Sequence, residues 1–207
     1  MTADRVPVLL VHGIWDTRAR LAPLERGLVA RGLGPVYTVE LLPNDGRAPI
    51  ATLGRRVAEE AEALSRRESA DRIDLVGFSM GALVSRWYLQ RGGGKDRVLR
   101  FVSLSGPHHG TATAFALPLA GARDMRPGSA LLRDLETDRD PWGEVEVHCV
   151  YTPYDLMIVP ARSSVLEGAT TVCTFPVVMH RMMIRDARVL DHVARILGAR
   201  GAREPEL

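Results

Sequence analysis

The sequence predicts an α/β fold in which a mainly parallel sheet of about six strands has helices on both faces. Short apolar runs alternate with longer amphipathic segments along the chain, and strands that alternate with helices favour a parallel sheet. Most of the apolar runs are too uniformly apolar for a sheet with one solvated face. The amphipathic segments also carry proline or aspartate near their starts and glycine near their ends, as helices commonly do.

The predicted strands are short runs dominated by valine, leucine and isoleucine, which favour β-structure when they are buried on both faces. Each run is bounded by polar residues, glycine or proline. The predicted strands cover residues 6–11, 36–40, 73–78, 98–104, 145–151 and 170–174.

Four helices are predicted in the amphipathic segments, where apolar residues recur at spacings of three and four and therefore share one helix face. These helices cover residues 21–31, 50–64, 79–91 and 187–197. Pro49 precedes the second helix. Asp186 is the expected N-cap of the fourth, and Gly198 is its expected end.

Residues 1–207 are expected to form a single domain, because no repeat, low-complexity tract or Pro/Gly/Ser-rich linker divides the chain. Residues 111–136 interrupt the regular alternation, with leucine clusters on both sides of Gly121 and Pro127. A long excursion at one edge of a sheet is often a lid or a binding loop. An ordinary pair of surface helices is the alternative.

The composition excludes several classes of protein. Of the 207 residues, 46% are hydrophobic and 25% are charged, which is typical of a folded globular chain. The formal net charge of +2 is too small for a dedicated polyanion binder, so no nucleic-acid partner is expected. No apolar run approaches the roughly 20 residues that a membrane helix needs, so no membrane span is expected. Transient contact with a lipid interface stays open.

The first residues lack the features of a signal peptide, because the apolar run at 8–11 is short and no small-residue cleavage site follows it. We therefore expect a cytoplasmic protein, unless a signal has been removed. Cys149 and Cys173 lie in strand-like runs and are expected to be buried, reduced thiols. A disulfide between neighbouring strands is the alternative.

The strongest motif is Gly-Phe-Ser-Met-Gly at residues 77–81, which follows the third strand and opens the third helix. A nucleophile elbow has this context, because a strained strand-to-helix turn lifts a serine above the sheet. Gly77 and Gly81 remove Cβ atoms where strand and helix would collide. The helix N-terminus adds free amides beside a developing oxyanion. Ser79 is therefore predicted to be a nucleophile, with a structural Gly/Ser turn as the alternative.

A serine hydroxyl needs an oriented base, and the chain offers six histidines. Only His180, between the last strand and the last helix, comes late enough for the order serine, acid, histidine that accompanies this elbow. His12 follows the first strand, where a backbone donor to an oxyanion is expected. His148 is expected to be a satisfied core residue, and His192 is expected to be solvated.

The acid must lie between the serine and the histidine and must follow a strand. Asp155 directly follows the fifth predicted strand, and an aspartate among apolar neighbours is costly unless it is paired. Pairing with an imidazole would hold the correct tautomer. Four other aspartates fall in or just after residues 111–136 and are expected to be solvated. They are Asp124, Asp134, Asp138 and Asp140.

Five ordered motifs resemble those of bacterial α/β-hydrolase lipases and esterases. They are Val-His-Gly-Ile at 11–14, Gly-Phe-Ser-Met-Gly at 77–81, Ser-Gly-Pro-His-His-Gly-Thr at 105–111, Tyr-Asp-Leu-Met-Ile-Val-Pro at 154–160 and the late His180. The chain looks like the small triacylglycerol-lipase-like members, which have a minimal α/β-hydrolase core. In two departures, Met179 and Arg181 replace the glycine that often borders the base, and the lid-like segment at 111–136 is inserted.

The resemblance implies a carboxylic-ester hydrolase that acts through an acyl-enzyme, with Ser79 as nucleophile, Asp155 as acid and His180 as base. It also implies the amides of Ile14 and Met80 as oxyanion donors. An ester or a lipid is the expected substrate, and no cofactor is needed. Apolar side chains expected near the acyl group, with core packing as the alternative, are Trp15, Phe78, Leu117 and Leu156.

Other functions stay open. A thioesterase, an amidase and an acyltransferase share the same acyl-enzyme, so the elbow does not separate them. A non-catalytic binding protein of this fold has no physical need for serine, aspartate and histidine together. His108 and His109 with an aspartate have the chemistry of a zinc site, but their spacing is not diagnostic, so no metal is expected.

Overall fold

The structure, a computed structural model, describes residues 6–198. Six strands form one sheet in which all neighbouring pairs are parallel, so the predicted α/β fold is confirmed. The strands are β1 (Val8–Val11), β2 (Val36–Val39), β3 (Ile73–Phe78), β4 (Val98–Leu104), β5 (Glu146–Tyr151) and β6 (Thr171–Thr174). Their order across the sheet is β2-β1-β3-β4-β5-β6.

Helices lie on both faces of this sheet. They are α1 (Arg18–Val29), α2 (Ile50–Glu68), α3 (Met80–Arg91), α4 (Ala120–Asp124), α5 (Ala130–Glu136) and α6 (Ala187–Gly198). The side chain of Asp186 accepts a hydrogen bond from the Arg188 amide at 3.0 Å, so its predicted role as the N-cap of α6 is confirmed. Among the described residues, no helix is both long and apolar enough to cross a membrane.

The two faces of the sheet carry separate apolar cores. In β1, Leu9 and Val11 belong to the core under α2 and α3, whereas Val8 and Leu10 belong to the core under α1 and α6. Alternate residues of a strand point to opposite faces, so a continuous apolar run fills both cores. This is why the central strands are recognisable from sequence.

The last strand differs from the others because it lies at the edge of the sheet. Cys173 in β6 is half-buried, while Cys149 in β5 is fully buried, and both thiols are free. The expectation of a buried thiol is therefore confirmed for Cys149 and wrong for Cys173. His148 is buried, as predicted, and its Nδ1 lies 2.9 Å from the Thr171 hydroxyl. Its Nε2 has no hydrogen-bond partner among the described residues, so the expectation of a satisfied core residue is only partly confirmed.

Helix α6 is more closely packed than its sequence indicated. The His192 ring lies against Phe175, with ring centroids 5.4 Å apart, and its Nε2 atom is buried. The expectation of a solvated His192 was therefore wrong. Phe175, which directly follows β6, packs against this side of α6.

Residues 111–136 pack against the rest of the chain. Leu132 and Leu135 of α5 are buried in the core that also contains α2 and α3. Asp124 is half-buried, and its carboxylate accepts a hydrogen bond from the Ile50 amide at 2.9 Å, at the start of α2. Asp138 just beyond α5 forms an ion pair with Lys95 at 3.2 Å. Solvation was therefore the wrong expectation for these two aspartates.

A buried ion pair crosses the centre of the sheet. Asp74 of β3 accepts hydrogen bonds from Arg100 of β4 at 2.8 and 2.7 Å. The same guanidinium donates to the Ile196 carbonyl in α6 at 3.0 Å. Burial raises the pKa of the Asp74 carboxyl to about 6, although the hydrogen bonds and the charge of Arg100 act to lower it.

Candidate active site

Ser79 occupies the turn between β3 and α3. It is the N-cap of the helix, with φ 55° and ψ −127°, and a positive φ costs energy in a residue with a Cβ atom. Its amide donates to the Leu104 carbonyl at 2.9 Å, and its carbonyl accepts from the Ala82 amide at 3.0 Å. These bonds from the flanking elements hold the serine in its strained conformation beyond the carboxyl end of β3.

Gly77 and Gly81 allow strand and helix to approach each other at this turn. A Cβ on Gly81 would lie 2.3 Å from the Val11 carbonyl oxygen, and a Cβ on Gly77 would lie 2.5 Å from the Ala82 Cα. Both obstructing atoms belong to the backbone, so neither can rotate away. Packing therefore requires both glycines of the motif.

Asp155 and His180 meet through a short contact between their side chains. His180 begins the 3-10 helix His180–Ile184, and its Nδ1 lies 2.7 Å from Asp155 Oδ2. The other carboxylate oxygen accepts from the Met157 and Ile158 amides at 2.9 and 3.0 Å. Burial opposes ionisation of Asp155, but the hydrogen bond and charge of His180 and the two amides outweigh it. The pKa of Asp155 is consequently lowered.

The other nitrogen of His180 is available. Because Nδ1 faces an ionised carboxylate, it carries the ring proton and leaves Nε2 as an acceptor. Nε2 is buried and has no hydrogen-bond partner among the described residues. Phe78 packs against the ring, with centroids 4.8 Å apart. Ser79 and His180 line the same cavity, but no hydrogen bond joins their side chains.

The amides of Ile14 and Met80 are free near Ser79. Neither donates a hydrogen bond to another residue of the described range. Met80 is the first residue of α3, where amides have no partner within the helix, and Ile14 lines the same cavity as Ser79. Unpaired N–H groups beside a serine can hold a negatively charged oxygen.

His12 supports the loop that contains Ile14. The Leu41 amide donates to His12 Nε2 at 2.9 Å, so this nitrogen is an acceptor and Nδ1 carries the proton. Nδ1 donates in turn to the Gly13 carbonyl at 2.9 Å. The sequence predicted a backbone donor in this segment but not this supporting role of the fully buried imidazole.

A cavity of about 330 Å³, which we call the polar cavity because charged side chains line it, opens beside the serine and the histidine, although Ile14, Trp15 and Met157 also line it. We define it by Asp16, Arg20, Phe78, Ser79, His180 and Arg181. Asp16 is almost buried, and its Oδ1 lies 3.6 Å from Arg20 Nε. Burial raises the pKa of Asp16, while the charge of Arg20 and, more weakly, that of Arg181 oppose the shift. The sequence analysis missed Asp16 and Arg20, for which the only signal is their position just after the loop at 11–14.

An apolar cavity of about 240 Å³ adjoins the polar one, with Ser79 lining both. We define it by Ile14, Trp15, Ala114, Leu117, Met125 and Ile158. Trp15 and Leu117, which were expected near an acyl group, line this apolar cavity. Trp15 also lines the polar cavity, and Phe78 lines only the polar cavity. Leu156 lines neither cavity and is 80% exposed, contrary to expectation. Asp155 turns inward to His180, so its neighbour points outward, and Met157 lines both cavities.

His108 and His109 have structural partners. His108 Nε2 lies 2.7 Å from the Ser103 hydroxyl, and His109 Nε2 lies 3.0 Å from the Val165 carbonyl. Burial, followed by the charges of Arg86 and His109, holds the pKa of His108 well below its ordinary value. Within residues 6–198, no three or more His, Cys, Asp or Glu side chains are grouped to hold a metal ion.

Solved structures with the same architecture include known lipases. A lipase from Bacillus licheniformis in its mature form superposes with a TM-score of 0.78 at 14% identity, covering 93% of this chain and 92% of that one. Lipase B from Aspergillus fumigatus superposes with a TM-score of 0.79 at 16% identity, covering 95% of this chain and 53% of that one. The fold is therefore the α/β-hydrolase fold.

Sequence comparison gives two curated relatives and a family. A triacylglycerol lipase from Pseudomonas fragi is 28% identical over 121 residues, which are 56% of this chain and 39% of the lipase. Palmitoyl-protein thioesterase 3 from Dictyostelium discoideum is 25% identical over 107 residues, which are 50% of this chain and 36% of the thioesterase. The matches thus span less than two fifths of each relative.

The family match covers residues 7–154 and is described as palmitoyl protein thioesterase. It includes Ser79 and ends directly before Asp155. Together with the lipases above, it confirms the resemblance to α/β-hydrolase lipases and esterases. This chain belongs to the palmitoyl protein thioesterase family.

Proposed function

We propose that this chain is a serine hydrolase that cleaves carboxylic esters through an acyl-enzyme, with Ser79, Asp155 and His180 as its catalytic triad. The observation that carries the proposal is the 2.7 Å contact between His180 Nδ1 and Asp155 Oδ2, which leaves Nε2 unpartnered in a cavity that Ser79 also lines. A serine, an oriented imidazole and a buried carboxylate are the groups that acyl transfer requires.

In the first half of the proposed reaction, His180 Nε2 takes the hydroxyl proton as Ser79 Oγ attacks the carbonyl carbon. The amides of Ile14 and Met80 donate to the oxygen that becomes negatively charged. Asp155 stabilises the imidazolium that forms. The imidazolium then gives its proton to the departing alcohol, and the acyl group stays on Ser79.

In the second half, His180 takes a proton from the water that attacks the acyl-enzyme. The imidazolium then returns the proton to Ser79 Oγ as the bond between Oγ and the acyl carbon breaks and the acid leaves. The same two amides hold the second tetrahedral intermediate. Losing one such donor typically costs about a hundredfold or more in rate. Both half-reactions use only groups of this chain.

We infer that the apolar cavity receives the acyl chain. Residues 111–136 contribute Ala114, Leu117 and Met125 to its lining, so the proposed role of this segment is to form a wall of the acyl site. Trp15 and Met157 at the cavities are 53% and 42% exposed. Large exposed apolar side chains at the opening would favour transient contact with a lipid interface.

A thioesterase is the second candidate, because the family match favours it. The acyl-enzyme and its hydrolysis are identical for the two bonds, and only the leaving atom differs. Rates for matched butanoyl oxoesters and thioesters would separate the two activities. Comparison of acetyl to palmitoyl esters, with and without an emulsion, would define the acyl length and any interfacial preference.

The central test is the Ser79→Ala variant, assayed with p-nitrophenyl butanoate and with a fluorophosphonate that labels activated serines. We expect loss of turnover and of labelling. Ser105→Ala is the matched control, because Ser105 is also buried with a positive φ of 48° and is assigned no chemistry. Activity that persists in Ser79→Ala would overturn the assignment.

A further inference from the structure

We propose that Arg181, with Arg20 beside it, forms an anion subsite for the leaving group, so that preferred substrates are acyl esters or thioesters whose alcohol or thiol portion carries a negative charge. This inference rests on the proposed acyl-transfer function and specifies its substrate class. It depends on three observations: how the two cavities divide the substrate, which charges face the polar cavity, and which of those charges is unpaired.

The two cavities that Ser79 lines differ in charge. No charged side chain lines the apolar cavity, whereas Asp16, Arg20 and Arg181 line the polar cavity together with His180. An ester at the serine has one apolar arm and one leaving group. Since the acyl chain is matched by the apolar cavity, the leaving group is directed into the polar one.

The charges of the polar cavity do not cancel. The Asp16 carboxylate lies 3.6 Å from the Arg20 guanidinium, so these two opposite charges offset each other. Arg181 has no hydrogen bond or ion pair with any other residue in the described part of the chain. Arg181 is exposed to solvent, and its charge acts on Asp16 only at longer range. Its guanidinium donors are therefore available to an anion in the cavity that holds the proposed nucleophile and base.

The position of Arg181 fits recognition of the leaving group. It is the chain neighbour of His180, the residue that would protonate the departing atom. A carboxylate or phosphate a few bonds beyond that atom would lie in the same cavity as the guanidinium. Guanidinium groups bind such anions through strong, charge-assisted hydrogen bonds.

The test compares two esters that share an acyl group. The anionic substrate is para-(butanoyloxy)benzoate, and its neutral counterpart is the methyl ester of the same benzoate. For Arg181→Gln, we expect kcat/KM for the anionic ester to fall about tenfold, the effect of one charged hydrogen bond, while the neutral ester changes less than about twofold. Arg181→Lys should retain part of the preference.

Two further variants test whether the preference for the anionic ester depends on Arg181 and on the charge of the polar cavity. Arg185→Gln removes the same charge from an exposed arginine four residues away that does not line the cavity, and it should leave the ratio of the two rates unchanged. Asp16→Asn removes the opposing negative charge and should move the ratio toward the anionic ester. If the two residues acted only through the fold, Asp16→Asn and Arg181→Gln would not move the ratio of the two rates in opposite directions.

Two kinds of substrate have a negatively charged leaving group: a soluble ester, and a lipid whose phosphate stays on the leaving alcohol. Monomeric dihexanoyl phosphatidate, compared with dihexanoylglycerol, distinguishes the lipid source from the benzoate. An Arg181-dependent preference for either anion supports the subsite. Turnover with no charge preference in either the benzoate pair or the lipid pair, or equal effects of Arg181→Gln and Arg185→Gln, would overturn the subsite alone. Failure of the wild type to cleave any of these esters would overturn the acyl-transfer function itself.

Discussion

At the residue scale, Asp155 satisfies two demands with its two carboxylate oxygens. One oxygen holds the imidazole of His180, and the other accepts two backbone amides from the residues that follow it. The carboxylate is therefore fixed by its own loop before it orients the histidine. An amide side chain at this position would keep the shape but not the charge.

The Asp155→Asn variant should lose about a thousandfold in kcat/KM, because a neutral amide does not stabilise the imidazolium and can favour the wrong tautomer. The measurement is turnover of p-nitrophenyl butanoate, with circular dichroism to check the fold. Asp186→Asn is the control, since it makes the same chemical change at the N-cap of α6. An unchanged rate in Asp155→Asn would assign the acid to another carboxylate.

Asp155 should also contribute to stability in a pH-dependent way. The pKa of Asp155 is lowered in the folded chain, so the contribution is complete above the unfolded pKa and is lost as pH falls through the folded pKa. Urea unfolding between about pH 6 and about pH 3 should therefore show a larger loss of stability for wild type than for Asp155→Asn. Parallel losses in the two proteins would contradict this.

At the scale of elements, the turn from β3 to α3 has the least room for change. Gly81→Ala places a methyl group 2.3 Å from a backbone oxygen of β1. We expect a loss of about 1–3 kcal/mol in the free energy of unfolding, together with reduced turnover. The matched control is Gly93→Ala, at a φ of 78° with no neighbouring atom within 4 Å of the added Cβ. It should affect stability less and leave turnover intact.

The elements that could be predicted are those specified by local patterns. The β3 to α3 unit was predicted correctly because an apolar strand, two obligatory glycines and an amphipathic helix are adjacent in the chain. Strand ends were less accurate: β1 begins at Val8 rather than at residue 6, since pairing with Val36 of β2 begins there. The exposure of Cys173 could not be predicted, because local sequence does not give the order of strands in the sheet.

The residues of the site also fall into two groups, those with a signal in the sequence and those that depend on tertiary structure. Asp155 and His180 were found because chain order restricts the choice, and the structure brings them into contact. Asp16 and the outward direction of Leu156 depend on the conformations of loops, which periodicity does not describe. The capping of α2 by Asp124, 74 residues away in the chain, depends on tertiary packing and has no local signal.

At the scale of the whole molecule, the Asp74–Arg100 pair joins the centre of the sheet to α6. Arg100→Met leaves the Asp74 carboxylate buried without its partner, which should cost about 3–5 kcal/mol. The double variant Asp74→Leu/Arg100→Met removes both charges and should be close to wild type or more stable. Urea unfolding of both variants tests this. A double variant as unstable as the single one would show that the pair is itself required.

The 3-10 helix that begins at His180 has a consequence for inactivation by heat. This five-residue segment lies outside the sheet, with Arg181 and Met182 exposed, and only Met183 and Ile184 anchor it in the core under α1 and α6. Short segments outside a sheet can open locally at a smaller free-energy cost than global unfolding. Turnover should therefore disappear at a lower temperature than the far-ultraviolet circular dichroism signal of the sheet and helices, and it should return on cooling. Coincident transitions would mean that the segment belongs to the same cooperative unit as the core. If the two transitions separate, the temperature limit of turnover is set by one short turn rather than by the stability of the sheet.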